Sequence, residues 1–458
     1  MNGSDSPNAI RITGGRVIDP GNAGSAVRDV LLAGGKVVDR LPPGPCRTID
    51  AAGRVVLPGS IDMHTHLLSR GAAAALPDPP PDQLAADYLR MGTTCVVDAA
   101  VPGEEIDFAR DRLAGLAGLE AGYLVEIADR SALAGAAEAG GRRAVADELA
   151  ALVDRPGAVG VKLVSAGSDD DNVPHFAKLV RTLADAVDRL GLAHPLHVHA
   201  PRLGLPGNVD STADLLERVR PSRMHLAHAQ FYACGATAKG RFASGAARLA
   251  AVLAREAQIT CDAGCVSFGS ARMVSRDAAL GERLSRVTGQ PIRGEAGWQV
   301  LELAYDPARP IAAVQWATGL ELILRSAGSP RLAMSVDHPS GGWFTRTPEL
   351  LRCLADADHR AEVLGRVHRA AAERTGLPEL AGRTLSAEEL VMLTRVAPAR
   401  ALGLAGKGHL RPGADADVVI ADAVHAPAAE WVVAGGRIAV ERGRVIPREP
   451  GRELGRSS

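Results

Sequence analysis

The sequence predicts an α/β chain: a (β/α)8 TIM-like barrel carrying a small β-sandwich domain built from both termini. Three observations predict it. Short apolar, β-branched runs end near Ile61, Asp98, Asp129, Ala166, Ala200, Ala229, Gly264 and His338, with Ala/Leu/Arg-rich stretches of helical character in most gaps. The residues able to do chemistry cluster at the ends of those runs, where such a barrel carries its functional groups. Both chain ends are strand-rich and punctuated by glycine pairs.

Taken in order, residues 1–57 hold hairpin-like pieces (10–17, 29–38 and 48–56) with Gly14-Gly15, Gly34-Gly35 and Gly53 at the turns. Residues 408–458 repeat that style through 417–421, 431–433, Gly435-Gly436 and 438–440, which predicts one discontinuous domain assembled from both ends. Residues 58–407 form the barrel, with helical stretches such as 179–190 and 390–404. The proline-stiffened stretch 76–82 is expected over the active face, and the long gap at about 265–330 is expected to be an inserted loop and helix layer at its mouth.

The chemistry begins at Pro58-Gly-Ser-Ile-Asp-Met-His-Thr-His66. On an extended strand, residues two apart point the same way, so His64 and His66 make a metal half-site. Asp62 shares their parity and is expected to hydrogen-bond one ring. Lys162 then interrupts the apolar run Val159-Gly-Val-Lys-Leu-Val164, in a chain with only five lysines against 47 arginines. A buried amine is costly unless neutralised or modified, and carbamylation by carbon dioxide turns it into a carboxylate able to bridge two ions. The competing reading is a lysine whose tip reaches solvent. Further strand ends present His197 and His199, His225 and His228, and Asp337 with His338. Nine of the thirteen histidines fall in or beside these clusters, including His194 and His175, which isolated surface histidines would not do.

Bulk properties exclude other classes. A net charge of -1 and the lack of a basic stripe argue against nucleic acid. No run of about 18 apolar residues suggests a membrane span, and no signal-like start appears, so a cytoplasmic protein is expected. The six cysteines are scattered and read as reduced thiols, with Cys261 and Cys265 a lone pair.

This set of ligands inside a split sandwich resembles the amidohydrolase superfamily over nearly the whole chain. Longer strings resemble one branch, the A subunit of formylmethanofuran dehydrogenase and of the bacterial formyltransferase/hydrolase complex. They are Gly204-Leu-Pro-Gly-Asn208, His228-Ala-Gln-Phe-Tyr232, Cys261-Asp-Ala-Gly-Cys-Val-Ser-Phe-Gly269 and Asp337-His-Pro-Ser-Gly-Gly-Trp-Phe-Thr-Arg346. Lys407-Gly-His-Leu410 and Gly413-Ala-Asp-Ala-Asp417 fit the superfamily more broadly. The stretch 165–172, with its acid run, fits the family's glycine-rich loop only loosely.

The resemblance implies two zinc ions bridged by N6-carboxylated Lys162. His64, His66 and Asp337 would hold one, and His199 and His228 the other, while His197 and His225 stay open as alternatives. It implies that Asp337 acts as general base on the N-formyl amide of formylmethanofuran or a close analogue, giving formate and the amine. It also implies B, C and formyltransferase D subunits as partners. Asn208, Gln230, Thr345 and Arg346 are candidate substrate contacts, and Arg202 and Arg272 could join Arg346 in meeting an acidic carrier tail. Two rivals remain: another cyclic-amide or N-acyl amidohydrolase of dihydroorotase or hydantoinase type, and a non-catalytic scaffold within a formyltransferase complex.

Overall fold

The computed structural model describes residues 9–22, 24–76, 79–127, 130–165, 171–295, 297–447 and 449–455. The expected strand ends at Asp129 and Ala166, most of the acid run after them and part of the proline-rich loop lie outside the described residues. Eight strands run parallel in chain order: β1 Ser60–Thr65, β2 Thr93–Pro102, β3 Glu120–Glu126, β4 Ala158–Val164, β5 Leu196–His199, β6 Met224–Leu226, β7 Ile259–Asp262 and β8 Leu332–Ala333. Thr65 bridges His338 in parallel and the His66 N–H donates to the His338 carbonyl at 2.7 Å, which joins β1 to the end of β8. Near-continuous apolar runs suit these strands because helices cover their outer faces.

The helix Val173–Arg189 shows how the outer layer forms. Asn172 caps it by accepting the His175 N–H at 3.2 Å, and Pro174 starts its first turn. Phe176, Ala177, Val180, Leu183, Ala184 and Val187 then make one buried stripe at helical spacing against the barrel. The two-residue β8 leaves the β1–β8 seam short of backbone partners. The helical path Ala387–Val391, Met392–Val396, Ala397–Leu402 fills it, the middle piece being a π-turn. There the Leu393 carbonyl accepts the Met334 N–H at 2.9 Å, and Arg395 Nε donates to the Pro58 carbonyl at 2.9 Å.

The insertion differs from a loop-and-helix layer. Gly269–Ser275, Trp298–Tyr305 and Arg293–Glu295 form a three-stranded antiparallel sheet with the helix Ala278–Thr288 on it. Trp298 Nε1 donates to Glu105 at 2.8 Å, and Arg276 pairs with Glu104 at 3.1 Å, fastening this unit to the loop after β2. The following segment, Pro310–Arg325, is an almost wholly buried helix between β7 and β8.

The chain ends build two further sheets. A four-stranded sheet is drawn from residues 9–50, and a seven-stranded sheet combines Arg16–Asp19, Gly24–Val27 and Val55–Pro58 with Val418–Ala421, Trp431–Ala434, Arg437–Glu441 and Arg444–Val445. Ile12, Val17, Val30, Leu32, Val56, Val418 and Trp431 share one core between them. The short strand Arg452–Glu453 leaves this unit and pairs with Glu120 and Ala121 of β3. Buried Lys407 ties the same region to the barrel floor, with its Nζ 2.7 Å from Asp417, 3.1 Å from Asp415 and 3.2 Å from Glu120.

Candidate metal centre

The strand ends bring His64, His66, Lys162, His199, His228 and Asp337 into one buried cluster. His66 Nε2 stands 3.2 Å and His64 Nε2 3.5 Å from Asp337 Oδ1, yet that oxygen has no hydrogen-bond partner. His199 Nδ1 and His228 Nε2 face each other at 3.1 Å. Ligand atoms about 2.0–2.1 Å from a tetrahedral zinc stand roughly 3.3 Å from one another, so both spacings fit atoms converging on a shared cation. Lys162 Nζ lies 3.5 Å from His64 Nε2, and no carboxylate among the described residues is within ion-pair distance of it.

The electrostatics favour a cation. Burial drives the rings of His199 and His228 well below the usual imidazole range, leaving neutral lone pairs. Burial likewise pulls the Lys162 amine down. It opposes a proton on His66 too, but Asp337 and Asp98 outweigh it and hold that ring at about 9; a metal ion between His66 and Asp337 would take the proton's place. His64, His66 and Asp337 form one group with metal-ligating geometry, and the donor set of imidazoles and a carboxylate suits zinc and its divalent neighbours.

The alternatives within each histidine pair behave differently. His225 is engaged at both ring nitrogens, with Nδ1 2.9 Å from Thr260 Oγ1 and Nε2 3.2 Å from Asp262 Oδ1. His197 Nδ1 is 3.1 Å from His194 Nε2, and His194 Nδ1 is 2.7 Å from the Ala401 carbonyl. Since the carbonyl only accepts, His194 donates there and receives the His197 proton at its other nitrogen. His197 and His225 stack at 4.5 Å in the same cross-strand register, two residues below His199 on β5.

Asp62 does not face the rings. A register irregularity in β1 between Asp62 and Thr65 turns it to the outer layer, where it accepts the Tyr88 hydroxyl at 3.0 Å and burial pushes its carboxyl up to about 7. The partner of His64 is instead Asp262, at 3.0 Å from Nδ1. Asp98 organises the loop after β1 by accepting the Leu67 and Leu68 N–H groups at 2.7 and 2.6 Å. Sequence reasoning assigned neither acid a role; the available signal for Asp262 was that it ends a barrel strand, as the ligand candidates do, whereas Asp98 lies inside β2, which runs on to Pro102 past the expected strand end.

The other candidates scatter. Asn208 spends its amide on the Arg202 and Phe231 carbonyls (2.9 and 2.7 Å) and accepts the Cys234 N–H at 3.1 Å, so it shapes a loop. Gln230 accepts the Val266 N–H at 3.0 Å and packs against Gly319 of the helix Pro310–Arg325. Thr345, Arg346 and Arg202 are exposed. Arg272 is half-buried, donates to the Ala75 carbonyl at 2.7 Å and lies over the Trp343 ring at 5.9 Å. All six cysteines are unpaired.

A parallel barrel with imidazole and carboxylate groups gathered at its strand ends defines a hydrolase of the amidohydrolase class, and this chain belongs to the amidohydrolase family, whose profile matches residues 99–446. Within that family it is similar to FhcA of the formyltransferase/hydrolase complex of Methylorubrum extorquens. The two are 36% identical over 90% of this chain and 83% of that protein. Protein FwdA of Methanocaldococcus jannaschii is 28% identical over 95% of this chain and 88% of its own. In the crystal structure of the FhcABCD complex from Methylorubrum extorquens with methylofuran, one chain superposes with a TM-score of 0.89. It is 33% identical, and the match covers 97% of this chain and 90% of that one. No helix among the described residues is long and apolar enough to cross a membrane.

Proposed function

We propose that this protein hydrolyses the N-formyl amide of a formylated furan-type amine carrier to formate and the free amine, using two zinc ions and carboxylated Lys162. The observation that carries the reading is the likeness, across nearly the whole chain, to one component of a complex that binds methylofuran. The unpartnered Asp337 oxygen and the facing His199 and His228 nitrogens support a centre that takes metal.

His64, His66 and Asp337 would hold one ion and His199 and His228 the other, with Lys162 between them. The ions would supply Lewis acidity to the amide carbonyl and lower the pKa of a bound water. Asp337 has its Oδ1 free in the site and its backbone in the left-handed region, φ 48°, held by the Ser340 and Gly341 N–H groups on its carbonyl. It is the group to take a proton from attacking water and return it to the leaving nitrogen. The lowered amine pKa of Lys162 favours the neutral form that carbon dioxide requires.

Exposed Arg346, Thr345 and Arg202, with half-buried Arg272, are the polar groups offered to an anionic carrier tail; Asn208 and Gln230 would act by shaping the loops behind them. The same likeness supports assembly with B, C and formyltransferase D subunits, in the cytoplasm. A dihydroorotase of Anaeromyxobacter sp., 28% identical over 97% of this chain, keeps cyclic amides as a second substrate class. The test is metal content and formate release from formylated methanofuran or methylofuran. Two metals with formate release support the proposal. Two metals that hydrolyse dihydroorotate or hydantoins instead replace the substrate, and no metal at all moves the reading to a scaffold.

A further inference from the structure

We propose that Asp262 is a positioning residue that holds both halves of the metal centre in one geometry, an inference that rests on the metal-centre reading above. Asp262 ends β7, is wholly buried and accepts four hydrogen bonds. Its Oδ1 takes His64 Nδ1–H at 3.0 Å, His225 Nε2–H at 3.2 Å and the His228 backbone N–H at 3.1 Å. Its Oδ2 takes the Ser335 hydroxyl, and Ser335 is itself oriented by accepting the Gly264 N–H at 2.9 Å. Residues from β1, β6, β7 and the end of β8 thus meet at one carboxylate.

Each contact has a consequence at the centre. A carboxylate only accepts here, so His64 must carry its proton on Nδ1 and present the Nε2 lone pair to the first ion. The backbone contact holds His228 in its left-handed conformation, φ 34° and ψ 57°, which brings its Nε2 to His199. His225, bonded at both nitrogens, lies below the carboxylate with no ring nitrogen left for an ion. The negative charge also raises the basicity of the His64 ring, strengthening it as a donor. A purely structural role would need none of this orientation, only the bond to His225.

The experiment strips the full-length protein of metal, returns zinc in bicarbonate buffer against a chromophoric chelator, and melts each apoprotein. Asp262→Asn keeps the shape but removes the charge. It is expected to bind both zinc equivalents about 10–100-fold more weakly while the apoprotein melts as wild type does. Ser335→Ala, the second variant should Asp262→Asn not fold, is expected to shift affinity in the same direction by less. Thr260→Ala loosens only His225 and is expected to titrate as wild type. The proposal is overturned if Asp262→Asn binds both equivalents with wild-type affinity, if only one equivalent weakens, or if Thr260→Ala reproduces the loss. Should Asp262→Asn not fold, wild-type affinity in Ser335→Ala overturns it as well. A wild-type protein that takes up no zinc would overturn the metal-centre reading along with it.

Discussion

A Cβ placed on Gly264 would stand 2.3 Å from the Cβ of His228 and 2.6 Å from its Cα. Glycine is required there twice over, because its φ is also +60°. Gly264→Ala is therefore expected to lower the melting temperature, with about 1–2 kcal/mol of backbone strain in addition to the clash. By pushing His228 away from His199 it should also cost one bound metal per chain. Metal analysis beside a thermal melt checks both effects, and an alanine variant with full metal content would contradict the His228 assignment.

Lys162 is buried without a carboxylate partner among the described residues, so an apolar side chain of similar volume should be tolerated by the fold. Compared as metal-free proteins, Lys162→Met and wild type are expected to differ in stability by less than about 1.5 kcal/mol. Metal content and formate release should both collapse. Chemical denaturation separates this from a lysine that serves only the fold, whose loss would unfold the chain and leave no such split.

Removing metal from the wild-type protein should lower its melting temperature, because a ligand that binds only the folded state stabilises it by mass action. At free zinc one hundred times the dissociation constant the effect is about 2.7 kcal/mol per site. Chelation followed by zinc addition should move the melt down and then back. An unmoved melt would argue against a structured metal centre.

Asp337→Asn keeps an oxygen able to ligate but removes the proton acceptor. The turnover number is expected to fall by about 10²–10⁴ while metal content stays near that of wild type. If metal is lost and the remaining loaded fraction turns over normally, Asp337 serves as ligand and not as base.

Lys407 lies far from the chemistry, and its removal should act on stability alone. Its ammonium holds Asp415, Asp417 and Glu120 together, and breaking a buried ion pair from one side costs about 3–5 kcal/mol. Lys407→Met should unfold at a lower urea midpoint and keep its specific activity at low temperature, which paired denaturation and activity measurements would show.

Much of the barrel, and the gathering of His64, His66, Lys162 and Asp337 in it, was legible along the chain because both signals are local. Strand alternation places His64 beside His66, and an apolar run around Lys162 marks a buried amine. The ambiguous pairs were not local in this sense. His197 and His199 point the same way along β5, and only the depth of each in the barrel separates a ring occupied by His194 from one that meets His228.

Residue order and apolar patterning by themselves determined the fold class and the residue types gathered toward the strand ends. Tertiary structure decided which acid supports the site. Asp62 follows the correct parity, yet one irregularity in β1 turns it outward, since a single-residue slip reverses a strand's faces. Asp262 is 198 residues from His64 in sequence and 3.0 Å away in space. A contact of that kind leaves no periodic trace in either segment, because it is set by barrel closure.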